Sequence, residues 1–237
     1  MSAVEREIVE FETGAVGVDR TLRLVPLEQP ELAYETWQRH LKRAVDIAVV
    51  LLLAPVVLIV GLVIGVALKI TSPGPVLFKQ ERISRGRPFQ MLKFRSMYVD
   101  ATERLQADPV LYARYVECDF KLPADEDTRI TPIGRFLRSS SLDELPQLFN
   151  VLRGDMSLVG PRPIEAAQVA SYGSLTHVYL RARPGLTGRW QTAGRSNIVF
   201  PERAYLDAEY LENWSMWQDF VIMAKTVPAV LRRHGSH

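Results

Sequence analysis

Cysteine is nearly absent: Cys118 stands alone among 237 residues, so no internal disulfide and no cysteine-based metal cluster can form. That scarcity suits a reducing compartment. The four histidines, His40, His177, His234 and His237, show no ligand spacing. Net charge is scarce too. The 29 Lys and Arg against 27 Asp and Glu leave +2 at pH 7, too little to argue for nucleic acid as a partner. The chain holds no internal repeat and no low-complexity tract, which leaves room for one ordinary domain plus a membrane element.

Polar side chains are missing over one long stretch. From Ile47 to Leu68 the sequence IAVVLLLAPVVLIVGLVIGVAL carries no charge. As a helix it would measure roughly 33 Å, against about 30 Å of bilayer hydrocarbon. It is too long for the apolar part of a signal peptide, and a long polar stretch precedes it. Lys42 and Arg43 flank one end, while Lys69 and further cations flank the other. The positive-inside rule therefore asks for both ends on the cytoplasmic face. Pro55 removes a helix hydrogen bond and bends the segment. A re-entrant helix over residues 41–70, broken at Pro55, satisfies both observations. A kinked span is the alternative.

What is present elsewhere is arranged in blocks. Residues 1–40 form a polar, acidic extension expected to be flexible. Lys79, Arg82, Arg85, Arg87, Lys93 and Arg95 crowd a basic loop beside the apolar segment. Short strands are expected around VLF and over Phe89 to Phe94, which would set Lys93 and Arg95 on one face, opposite Phe94. Residues 100–127 read as a variable insertion, an amphipathic helix interrupted near Pro109. The final segment, with Tyr205, Tyr210, Trp214, Trp217 and Phe220, reads as helix. It either lies at a membrane surface or, for Trp214, packs in the core.

The stretch SSSLDELPQLFN carries Asp143 and Glu144 together among leucines. Ser141 and Glu144 have the spacing of a capping box, and with Asp143 as N-cap Pro146 would fall in the first helical turn. Arg135, Arg138, Arg153 and Arg162 stand around this pair in sequence, as surface ion pairs or as forks for phosphate oxygens. In LVGPRP two prolines fix the backbone on either side of Arg162. The loop RPGLTGRWQTAGRSN adds Arg189, Arg195 and the flat aromatic Trp190 among glycines. Such a loop can bring backbone donors to a phosphate or serve as a tight connection.

Taken in order, KRAVDIAVVLLLAPVVLIV, SPGPVLFKQERISRGRPFQMLKFRSM, TPIGRFLRSSSLDELPQLFNVLRGDMSLVGPRP, RPGLTGRWQTAGRSN and LDAEYLENWSMWQD resemble the bacterial sugar transferases. These are the monotopic polyprenyl-phosphate phosphoglycosyl transferases. The resemblance implies a mostly helical α/β fold: a re-entrant membrane hairpin plus a small cytoplasmic catalytic domain over 71–237, with amphipathic interfacial helices. It implies transfer of a sugar 1-phosphate from a UDP-sugar, UDP-glucose or UDP-galactose, to undecaprenyl phosphate with release of UMP. Asp143 would be the covalent nucleophile and Glu144 its partner, and both would bind the Mg2+ that the family's activity requires. Lys93, Arg138, Arg162 and Asp207 match further functional positions, and Arg195 joins them as a phosphate-binding candidate.

The implied setting is the cytoplasmic face of the bacterial inner membrane, with its lipid and downstream glycosyltransferases as partners and with monomer and dimer both open. Two departures stand out. Ala54, not serine, precedes Pro55, and a polar stretch stands where larger members carry membrane helices, which resembles the compact exopolysaccharide-initiating type. A non-catalytic membrane scaffold and a lipid-diphosphate phosphatase are the competing functions.

Overall fold

The computed structural model describes residues 36–117, 122–123, 126–193, 198 and 200–231. Residues 1–35 of the acidic extension, Cys118, Arg195 and the terminal Arg232 and Arg233 lie outside the described residues. The chain is mostly helical, with two small sheets.

The apolar run folds as one helix, α1 (Thr36–Thr71), which continues through Pro55. Only 11% of its most apolar stretch is buried in the protein. Leu52, Leu62 and Ile70 are 78, 70 and 79% exposed. Each such side chain left in water forfeits about 1.5–3 kcal/mol, so this face suits lipid. A narrower stripe at helical spacing, Val50, Val57, Ile64 and Leu68, packs on the rest of the protein.

Polar contacts fix both ends of α1 to the same domain. Near its start, Asp46 accepts hydrogen bonds from the Ser157 hydroxyl (2.8 Å) and the Leu158 amide (3.1 Å). Arg43 donates to the Val151 carbonyl and, at 2.7 Å, to that of Leu152, placing a cation at the carbonyl end of α5 (Gln147–Arg153). At the other end, Arg95 donates at 2.7 Å to each of the Pro73 and Ser72 carbonyls just beyond α1.

The two strands expected after α1 form, and the basic loop expected between them shrinks to the turn of a hairpin. Strands β1 (Leu77–Ser84) and β2 (Arg87–Phe94) pair antiparallel across Arg85-Gly86. Both turn residues have positive φ, 51° and 70°, which matches the strand twist and explains a glycine in the second place. Lys79, Arg82 and Arg87 thus sit on strands. Lys93 and Arg95 do not share a face, because β2 ends at Phe94 and Arg95 turns to the carbonyls after α1.

The insertion holds two helices that part before Pro109: α2 (Ala101–Ala107) and α3 (Pro109–Glu117). Next come α4 (Pro132–Ser139), a 3-10 turn at Leu142–Glu144, α5 and β3 (Ser157–Val159). Two short 3-10 turns within Ala166–Leu175, parted by a kink at Gly173, lead to α6 (Thr176–Arg181) and β4 (Gly185–Thr187), which pairs parallel with β3. Three helices follow, α7 (Arg189–Ala193), α8 (Glu202–Glu212) and α9 (Met216–Leu231). The core gathers Val151, Met156, Val159, Tyr210 and Ile222, with Val50 of α1 among them. Trp214 packs against this core and donates to Asp219 at 3.2 Å, whereas Trp217 is 75% exposed.

Candidate active site

Asp143 and Glu144 occupy the 3-10 turn between α4 and α5. The expected capping box does not form. Ser141 stands at φ 57°, makes no side-chain cap, and leaves α5 to start at Gln147 behind Pro146. A tertiary partner wins instead: Glu144 receives the Lys93 ammonium at 3.0 Å, from a residue 51 positions earlier.

Asn150, wholly buried in α5, fixes that encounter. Its amide oxygen accepts from Leu92 N–H (2.9 Å) and its NH2 donates to the Gln90 carbonyl (2.8 Å). An unsatisfied buried amide would cost about 1–3 kcal/mol, so the pair of bonds holds β2 and its Lys93 in register with the turn. On the far side, α4 presents Arg138, which donates from Nε to the Ser96 hydroxyl at 2.8 Å.

Asp143 is buried, and burial, reinforced by the Glu144 charge, pushes its carboxyl up to about 6. Lys93 and Arg138 pull the other way. Burial in turn lowers Arg138, which the Asp143 charge opposes. Two adjacent carboxylates beside two cations at the edge of an apolar core make an anchored, ionisable oxygen with anion-stabilising groups to hand. The turn lies next to the long apolar helix α1, since Leu142 and Leu145 pack on the cluster of Ile64, Leu68, Phe94 and Leu137.

Arg162 and Asp207 belong to a second cluster. Arg162 lies over the Trp190 ring at 5.4 Å, and Arg203 lies over the same ring at 4.3 Å. Asp207, buried in α8, accepts from the Tyr172 hydroxyl at 2.8 Å, and burial pushes its carboxyl up to about 7 against the pull of that bond, Arg203 and Arg162. Tyr179 holds the Arg162 segment by donating to its carbonyl at 3.0 Å. Burial lowers Arg203, whose Nε and Nη2, like the Trp190 indole N–H, have no hydrogen-bond partner among the described residues. Buried cationic donors without acceptors fit an arriving anion.

Lys93, Arg138, Asp143 and Glu144 are thus brought together, Arg162 joins Asp207, and Arg135 and Arg153 stay exposed on helix surfaces. Arg203 and Tyr172 were not legible in the sequence as site residues. The one local hint for Arg203 is its spacing four residues ahead of Asp207 on a helix, which puts both on one face. Among the described residues no three His, Cys, Asp or Glu side chains converge to hold a metal. The two acids at 143 and 144 nonetheless fit Mg2+, which takes one or two carboxylates and fills its shell with water and substrate phosphate.

Comparison with known proteins bears on this geometry. A sequence model described as bacterial sugar transferase matches residues 37–233. The chain is 41% identical over 94% of its length to the UDP-galactose-lipid carrier transferase of Erwinia amylovora, covering 50% of that protein. It is 44% identical over 84% of its length to the undecaprenyl-phosphate galactose phosphotransferase of Salmonella typhimurium, covering 42% of it. It is 39% identical over 83% of its length to the UDP-glucose:undecaprenyl-phosphate glucose-1-phosphate transferase of Caulobacter vibrioides, covering 72% of it. The chain therefore spans about half the length of the first two of these relatives.

Proposed function

From the premise that the chain belongs to the bacterial sugar transferase family, we propose that it moves a sugar 1-phosphate from a UDP-sugar to undecaprenyl phosphate and releases UMP. The observation that carries this reading is Asp143, a buried carboxylate set between Lys93 and Arg138 on a turn that packs against the lipid-facing helix. A soluble donor and a membrane-bound acceptor can both be served from such a place.

In the first step a carboxylate oxygen of Asp143 attacks the phosphorus that bears the sugar. The bond from that phosphorus to the bridging oxygen breaks, and the oxygen leaves with UMP. An oxygen of undecaprenyl phosphate then attacks the same phosphorus, returning the electron pair to Asp143 and yielding the polyprenyl diphosphate sugar. Charge gathers on the transferred phosphoryl group in both steps. Lys93 and Arg138 stand where they can stabilise it, and Arg162 with Arg203 offers donors to the remaining phosphate. Asp143 and Glu144 would hold Mg2+, which screens the repulsion between the nucleophile and the diphosphate.

The relatives' names support UDP-galactose or UDP-glucose as donor. With undecaprenyl phosphate in detergent and a panel of UDP-sugars, UMP release should be fastest with one of these two. Acid quenching before the lipid is added should trap sugar phosphate on the protein. Release of inorganic phosphate independent of UDP-sugar would overturn the transferase reading.

The contacts of α1 support a membrane placement. Both of its ends are held to one polar domain, which favours a helix that returns to the face it entered over one that crosses the bilayer. We therefore place both ends, and the catalytic domain, on the cytoplasmic face, with the exposed stripe of α1 sunk in the near leaflet as a re-entrant element. In a Cys118→Ser background, His40→Cys and Pro75→Cys should both resist an impermeant thiol reagent applied outside the cell and both react after permeabilisation. Labelling of one site from outside would establish a span.

A further inference from the structure

A cleft of about 30 Å3 opens at the start of α1, lined by Arg39, Lys42, Arg85, Arg181 and Arg183 together with Ser157, Val159, Gly160 and Ala182. None of these residues surrounds Asp143 or Asp207. The volume holds about two waters, the scale of one phosphate group and too little for a sugar ring or a base.

The cleft is built from like charges. Arg43 lies close by, so that among the described residues Arg39, Lys42, Arg43, Arg181 and Arg183 gather near the carboxylates Asp46, Asp155 and Asp219. Two of those acids are already committed: Asp219 to Lys42, Tyr210 and Trp214, and Asp46 to Ser157 and Leu158. Arg39, Arg181 and Arg183 each keep a buried Nε without a hydrogen-bond partner among the described residues. Burial and the neighbouring Arg85 and Arg43 pull Arg183 down to about 10, the mark of a guanidinium short of anions. Such an arrangement is costly unless an oxyanion completes it.

Its position says where that anion comes from. The cleft adjoins the polar start of a helix whose exposed Leu51, Leu52 and Leu53 follow directly. Trp37 is 60% exposed on the same helix end, and Trp217 and Phe220 are exposed on the helix that supplies Asp219 to Lys42. Exposed tryptophans beside an apolar helix mark headgroup depth. We propose that this cleft is a phosphate-binding site that takes the headgroup of an anionic membrane phospholipid, separate from the Asp143 centre. Bound there, the phosphate would pin the start of α1 at the interface and set the depth of the domain.

The test uses the full chain in neutral detergent, with thermal shifts read against short-chain dihexanoyl phosphatidylglycerol, dihexanoyl phosphatidylcholine, inorganic phosphate and undecaprenyl phosphate. Phosphatidylglycerol should stabilise the parent protein saturably, and Arg39→Gln/Arg181→Gln should weaken that binding by about thirtyfold. Arg39→Lys/Arg181→Lys, which retains the charges, should keep the preference. Equal binding by parent and Gln variant, or equal loss in the Lys variant, overturns the site. Inorganic phosphate or phosphatidylcholine acting as strongly as phosphatidylglycerol overturns the anionic-lipid assignment. Stabilisation by undecaprenyl phosphate alone, and its loss in the Arg39→Gln/Arg181→Gln variant, would make the cleft an acceptor site instead.

Discussion

Asp143→Asn is expected to lower UMP release by about ten-thousand-fold or more while making the protein harder to melt at pH 7.5. The amide keeps the shape of the carboxyl but cannot form the acyl phosphate, so the band labelled by a radioactive sugar donor should vanish as well. Release at the parent rate would remove Asp143 as the nucleophile.

The gain in stability follows from linkage. The folded protein holds the Asp143 proton up to about pH 6, whereas an ordinary aspartate releases it near 3.8. A raised carboxyl favours the folded state at low pH, and that contribution is lost as pH climbs through 6. In donor-free protein above pH 7 the buried charge then costs about 2–3 kcal/mol, which asparagine relieves. Melting curves of parent and variant should differ most above pH 7 and converge below pH 4. In the parent enzyme kcat/KM should rise through about pH 6 and level off, since the attacking species is the carboxylate. A profile that falls through the same range would give Asp143 the role of an acid.

Gly134→Ala is expected to cost roughly 3–5 kcal/mol and to disable catalysis in whatever folds. A Cβ there would lie 1.9 Å from the Ser96 carbonyl oxygen and 2.6 Å from its carbon, backbone atoms that have no other rotamer to adopt. The strand exit at Ser96 is held by three hydrogen bonds from two residues. Thr131 donates to its carbonyl from N–H at 3.0 Å and from the hydroxyl at 3.3 Å, and Arg138 donates to its hydroxyl at 2.8 Å. Pushing α4 off Ser96 therefore withdraws Arg138 from Asp143 and opens the packing of Leu137 on Ile64 and Leu68. Calorimetry should show a melting temperature lower by about 10 °C. Gly86→Ala makes the contrast: nothing lies within 4 Å of its Cβ, so only the strain of φ 70° should register, about 1 kcal/mol. A Gly134→Ala protein as stable and active as the Gly86→Ala one would refute the close approach.

Much of the site's chemistry could be read in the sequence, but little of its assembly. The stretch SLDELP singled out Asp143 and Glu144, yet its capping pattern pointed to a local partner for Glu144 that the fold rejects in favour of Lys93. Lys93 and Arg95 looked equivalent two residues apart. One reaches the dyad and the other closes the end of α1. Arg203 carried only its helical spacing to Asp207, because the rest of its meaning comes from Trp190 and Arg162 on separate segments.

By itself the sequence determined that the chain carries a helix long and apolar enough to enter lipid, that two adjacent acids have cations near them in sequence, and that the chain resembles enzymes handling lipid phosphate. These are properties of composition and short-range spacing, which survive in any fold the chain adopts. The tertiary structure alone decided which cation serves which anion, that both ends of α1 rest on one domain, and that five basic residues from three separate segments line one cleft. The reason is physical. Electrostatic and hydrogen-bonding partners are chosen by distances of a few ångströms between segments far apart in the chain, and periodicity carries no record of those distances.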